Sequence, residues 1–217
     1  MFYPADMRTL ESTVERLLAA APVGNDAAKA LIVPHAGYQY SGPTAAHAYR
    51  LLESCRARIR RVVLLGPAHR VYLQGMALPS VDAFMTPLGD VRIDADGVRQ
   101  ALSLPGTQVS DEAHAYEHSL EVHLPFLQAV LDDFQLIPIV VGVCPAPEVE
   151  SVIESRWGGD ETLIVVSSDL SHFHPYVEAQ RIDAQTTARI EAREATLQGE
   201  EACGAYALNG LVLAAQV

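Results

Sequence analysis

The chain is short of basic residues: 15 Lys and Arg stand against 27 Asp and Glu, a formal net charge of −12. With a sequence pI of about 5.0 it cannot neutralise a phosphate backbone, which excludes nucleic acid as a general partner. Cysteine is scarce too. Cys55, Cys144 and Cys203 are odd in number and lack CxxC spacing, against both a disulfide framework and a zinc knuckle. No apolar run reaches the roughly 20 residues that span a bilayer. The opening MFYPADMRTLESTVERLL has none of the basic, apolar and small-residue zones of a signal peptide. The expectation is a cytoplasmic protein with no membrane contact. Two catalytic signatures are also missing. SSD at 167–169 is not a G-x-S-x-G elbow, and His118 and His123 are five apart rather than four, so they cannot share a helix face as an HExxH zinc pair does.

What is present is apolar. Hydrophobic residues make up 49% and charged residues 19% of 217, enough for one sizeable core and against disorder; there is no repeat, low-complexity tract or linker. Aliphatic runs at 31–34, 61–65, in FQLIPIVVGV and in ETLIVVSSDL alternate with helical segments. Those segments include SGPTAAHAYRLLESC, entered through Ser41 or Gly42 with Pro43 in its first turn, as well as ADGVRQALSL and PAPEVESVIESRW. SLEVHLPFLQAVL must bend or start near Pro125, and RIDAQTTARIEAREATLQ and ACGAYALNGLVLAAQV read as further helices. The Gly- and Pro-rich stretch from Tyr72 to Asp94 predicts short strands and turns. Continuous apolar strands alternating with helices predict a single-domain α/β sandwich, residues 1–217, on a central mostly parallel or mixed sheet flanked by helices.

In such sheets ligands sit beyond the carboxyl ends of the strands. Three runs end there in polar residues: His35 after 31–34, His69 after 61–65, and Asp169 with His172 after TLIVVSS. A neutral imidazole offers a lone pair, and two histidines plus one anion leave coordination positions open on a metal. For the anion, Cys203 in QGEEACGAY lies just ahead of an apolar helix whose N–H groups would favour a thiolate. The residues alone do not decide between that role and a buried thiol, whereas Cys55 and Cys144 read as small apolar side chains. His118 opens a helix and can be aimed at the crevice by the preceding loop; His123 reads as a surface or core histidine. Tyr38 and Tyr40 flank Gln39 in an extended or turn segment, so at most one of them lines the site with His35. Asp169 and His172, three apart in a turn, either form an orienting pair or reflect a helix cap with a packed histidine behind it.

Taken in order, MFYPAD, PHAGYQYSG, LLGPAHR, EHSLEVHLPFL, SSDLSHFHPY and ACGAYALNG resemble the signature blocks of the Memo family, whose bacterial members are called AmmeMemoRadiSam system protein B. The resemblance implies a fold similar to class III extradiol dioxygenases, which are non-haem iron enzymes. It implies that His35, His69 and Cys203 hold iron or copper, with zinc competing for the thiolate, and that His172 acts as acid/base with Asp169 beside it. His118, Glu121 and Tyr38 are then pocket residues. The expected activity is redox or dioxygenase-related, on an unknown small molecule or peptide. Partnership with a radical SAM protein and an AMMECR-type protein is also implied. The rival reading is a non-catalytic peptide- or protein-binding module on the same scaffold, and hydrolysis by metal-activated water ranks last. Family chains run on past the ACGAYALNG helix, so a C-terminally truncated chain with uncovered sheet edges is expected.

Overall fold

A computed structural model describes residues 2–24 and 28–216. Six strands form one sheet: β1 (Ala30–Val33), β2 (Arg61–Pro67), β3 (Met76–Leu78), β6 (Thr107–Val109), β7 (Gln135–Val141) and β8 (Thr162–Ser167). Their order is β1-β8-β2-β7-β3-β6, and all neighbours are parallel except β3 and β7. A separate antiparallel hairpin joins β4 (Ala83–Thr86) and β5 (Gly89–Arg92). The sheet is therefore mostly parallel and mixed. β2, β7 and β8 are buried from their second residue or earlier to their last, which is why they read as unbroken aliphatic runs rather than alternating ones. Pro138 lies within β7, and β3 pairs only with Val140 and Val141, so among the described residues no strand is paired at Pro138 on that side.

Helices cover the sheet. One group is α1 (Met7–Ala20), α2 (Tyr38–Arg50) and α6 (Leu124–Val130); another is α7 (Ala146–Ser155) with α9 (Ala205–Ala214). Tyr49 and Phe126, both fully buried, stack at 5.3 Å with 13° between ring planes, worth about 0.5–1.5 kcal/mol beyond their buried area. Short α3 (Ala95–Ala101), α4 (Asp111–Ala115) and α5 (His118–Glu121) occupy the connections, and α8 (Tyr176–Glu191) lies on the surface with only Thr186 buried.

Several boundaries differ from the sequence reading. α2 starts at Tyr38 with Gly37 as its cap, not at Ser41 or Gly42, and Pro43 lies inside it. Tyr38 accounts for the early start: its N–H donates to Phe2 O at 2.8 Å, its hydroxyl to Val122 O at 2.8 Å, and its ring packs on Phe126. The pair Tyr38 and Tyr40 is thus helical rather than extended, with Tyr38 buried and Tyr40 exposed. α8 stops at Glu191 instead of running on to Gln198, because Arg193 adopts φ +58°, a left-handed conformation no helix accommodates. The 118–130 segment breaks near Pro125 as expected, into α5 and α6. Among the described residues no helix is long and apolar enough to cross a membrane.

Candidate metal centre

β1, β8 and β2 are adjacent and parallel, so the loops after Val33, Ser167 and Pro67 emerge side by side. Those loops carry His35, Asp169 with His172, and His69. Two glycines let the remaining groups approach. A Cβ on Gly66 would lie 2.8 Å from Leu120 Cδ2 and from Ser119 Oγ, so the glycine lets α5, with Glu117 and His118, pack closely against β2 without those side chains shifting. A Cβ on Gly204 would lie 2.6 Å from Ser167 O, so only glycine seats the Cys203 turn on the end of β8. The result is a cavity of about 550 Å³ lined by His35, His69, His118, Asp169, His172 and Cys203, among others.

His35, at 2% exposure, is held on both sides. Its backbone N–H donates to Asp169 Oδ1 at 2.8 Å, its Nδ1 lies 2.6 Å from Ser167 Oγ, and its Nε2 faces Cys203 Sγ at 3.4 Å. His69 is held by one carboxylate: its N–H donates to Glu117 Oε2 at 2.6 Å and its Nδ1 lies 2.9 Å from Glu117 Oε1. His118 stacks between Phe2, 4.1 Å away, and His69, 4.8 Å away. Its Nδ1 is buried and 3.4 Å from Glu117 Oε1 but out of alignment for a hydrogen bond, so it has no partner among the described residues. Donor atoms of His35, His69 and His118 all lie within 4.8 Å of one another.

The electrostatics favour charge separation when no metal is present. Hydrogen bonds to Cys203 and Glu117 raise the His69 imidazole to about 9. Glu117 is opposed by burial, but its bonds from His69 and from Ser119 N–H hold the carboxyl down to about 2. Burial also opposes ionisation of Cys203, and bonds from His35 and His69 and from Asp169 N–H bring the thiol down to about 6. His118 goes the other way: burial pushes it down to about 4, so it is a neutral lone-pair donor at pH 7.

The donor set fits a metal ion. Both histidines have Nδ1 tied to a polar group behind them, the Ser167 hydroxyl for His35 and the Glu117 carboxylate for His69, which turns Nε2 of a metal-binding imidazole toward the cavity, and the thiol beside them ionises readily. Asp169 does not cap α8, whose cap is Pro175; it fastens the His35 loop and lies 3.7 Å from His172 Nε2. Tyr38 and Glu121 are not brought into this cavity. Tyr38 lines a cavity beside Phe2 and Tyr3, and Glu121, bonded by the Tyr3 hydroxyl, lines another with Phe84 and His114. Sequence reasoning missed Glu117 and Ser167 as site residues and left His123 as surface or core, where the structure buries it at 1% exposure. Only the Glu-His doublet at 117–118 gave any signal.

Fold and site together define an α/β protein with a histidine cluster able to bind a metal ion at the carboxyl edge of its sheet. The chain belongs to the Memo-like protein family, whose model matches residues 1–203. It is 39% identical over 199 residues to a MEMO1 family protein of Aquifex aeolicus, covering 88% of this chain and 71% of that one. Over 188 residues it is 36% identical to a MEMO1 family protein of Archaeoglobus fulgidus, covering 84% and 69%. The fold is shared with the crystal structure of an uncharacterised Escherichia coli K12 protein, at TM-score 0.54 and 14% identity over 84% of this chain and 87% of that one.

Proposed function

We propose that this chain holds one iron or copper ion on His35, His69 and Cys203 and serves a redox or dioxygenase-related reaction. The observation that carries this reading is the paired tethering of His35 Nδ1 to Ser167 and His69 Nδ1 to Glu117, beside a thiol of lowered pKa. Bound there, the ion supplies electron transfer and coordination positions for dioxygen or substrate, and the soft thiolate suits copper, iron and zinc alike. The chain's own residues do the rest. Asp169 keeps the His35 loop in place, and His172, at the cavity mouth with Asp169 beside it, holds or passes a proton at its ring. Phe2 and His69 clamp the His118 ring. His118 is the alternative third donor, because the donor nitrogens of all three histidines lie within 4.8 Å of one another.

Elemental analysis of protein purified without added metal tests both ligand sets. His35→Ala and Cys203→Ala are expected to lose metal, while His118→Ala and His172→Ala keep it. Metal retained by Cys203→Ala and lost from His118→Ala would move the site to three histidines. In the loaded protein His172→Ala should lower any oxidative turnover by about 10²–10⁴-fold.

A further inference from the structure

Ser167 closes β8 between two imidazoles: its Oγ lies 2.6 Å from His35 Nδ1 and 2.8 Å from His123 Nε2. Behind them His123 Nδ1 lies 2.9 Å from the Tyr49 hydroxyl. Tyr49 and Ser167 are fully buried, and His123 and His35 are 1% and 2% exposed. Burial pushes the His123 imidazole down to about 3, so it is neutral and carries a single ring proton. With neutral imidazoles, four groups of one proton each form a row that can run in two directions.

In the first direction the Tyr49 O–H donates to His123 Nδ1, His123 Nε2–H donates to Ser167 Oγ, and the Ser167 O–H donates to His35 Nδ1. Every contact is satisfied, and His35 keeps its proton at Nε2, facing Cys203 Sγ at 3.4 Å. In the second, His35 Nδ1–H donates to Ser167, the Ser167 O–H to His123 Nε2, and His123 Nδ1–H to the Tyr49 oxygen. The Tyr49 hydroxyl proton then has no protein acceptor among the described residues. The second direction bares the Nε2 lone pair of His35 and keeps Ser167 donating; were Ser167 Oγ to accept from both rings instead, the same lone pair would be bared with the Ser167 O–H orphaned and the His123 tautomer unchanged.

We propose that Tyr49, His123 and Ser167 form a tautomer switch that reverses when His35 binds a metal ion, and that Tyr49 biases it toward the metal-free direction. This rests on the reading of His35 as a metal ligand through Nε2. No group gains or loses a net proton: His35 and His123 each carry theirs on Nε2 before loading and on Nδ1 after it, and the two hydroxyls rotate. Tyr49 and His123 are thus positioning residues, and loading must overcome the orphaning of a buried hydroxyl.

Heteronuclear NMR of the ring nitrogens, with zinc as a diamagnetic probe, reads the switch in the unsubstituted protein. His123 is expected to be protonated at Nε2 without metal and at Nδ1 with zinc. If zinc binds, is lost in His35→Ala, and leaves the His123 tautomer unchanged, the switch is refuted and the ligand reading stands. If zinc does not bind, or His35→Ala binds it equally well, the ligand reading fails and the switch with it. Tyr49→Phe removes the bias, so zinc should bind about fivefold more tightly. A merely structural row would bind more weakly on losing this hydroxyl, so unchanged or weaker binding in a folded Tyr49→Phe protein overturns the proposal. Should that variant fail to fold, the tautomers of the unsubstituted protein decide alone.

Discussion

His35 and His69 show how much a single residue can reveal in sequence. Each interrupts an aliphatic run at the point where the chain leaves the sheet, and that position is visible without coordinates. Glu117 is not legible in the same way. It sits beside His118 in the sequence yet bonds His69, 48 residues away, across the close packing of α5 on β2 at Gly66. His123 carries no mark at all, because nothing in EVHLPF says that Ser167 and Tyr49 will meet it in the core. The role of Glu117 is testable by Glu117→Gln, which keeps the side chain's size but removes the charge that fixes His69. Metal affinity should fall by about 10–100-fold with the fold intact, as read by competition titration against a chelator alongside circular dichroism. Unchanged affinity would leave Glu117 as no more than the cap of α5.

At the scale of elements, strands and helices were legible and some of their ends were not. Helix α2 begins three residues before the earliest start read from Ser41, because a tertiary contact, the Tyr38 ring on Phe126 with its hydroxyl on Val122 O, outweighs the local signals at Ser41 and Pro43. Helix α8 ends early at a left-handed arginine that no propensity announces. Gly204 is the element-scale feature on which the site depends. Gly204→Ala should destabilise the protein by about 1–3 kcal/mol, seen as a lower urea midpoint, and weaken metal binding, since the added Cβ meets Ser167 O at 2.6 Å. At the start of α3, Asp94 accepts Gly97 N–H at 2.8 Å and Arg61 Nε at 2.6 Å. Burial opposes its charge, but these bonds hold its pKa below the usual 3.8. The unfolded chain therefore takes up that proton more readily. The stabilisation is present above about pH 4 and is lost as the pH falls through the folded-state value. Asp94→Asn, which keeps an acceptor for the cap, should flatten that acid limb in thermal melts between pH 5 and pH 2; an unchanged limb would remove Asp94 as a contributor.

For the whole molecule, alternation of apolar runs and helices made an α/β sheet legible, whereas the order of its strands was not. Nothing in the runs says that β8, late in the chain, lies between β1 and β2, or that β3 enters antiparallel to β7. That order is what converts three polar strand ends, scattered from residue 35 to residue 172, into one cavity of about 550 Å³. It also places the 203 turn over the end of β8, so the thiol reaches His35 across 168 residues of chain. The central claim is that this convergence makes a metal site with one thiolate ligand. X-ray absorption at the zinc K-edge of the zinc-loaded protein measures the ligand shell directly. The expected result is one sulfur at about 2.3 Å with nitrogen or oxygen donors at about 2.0–2.1 Å, the sulfur shell disappearing in Cys203→Ala. A shell of nitrogen and oxygen alone in the unsubstituted protein would contradict it and leave the three imidazoles as the site.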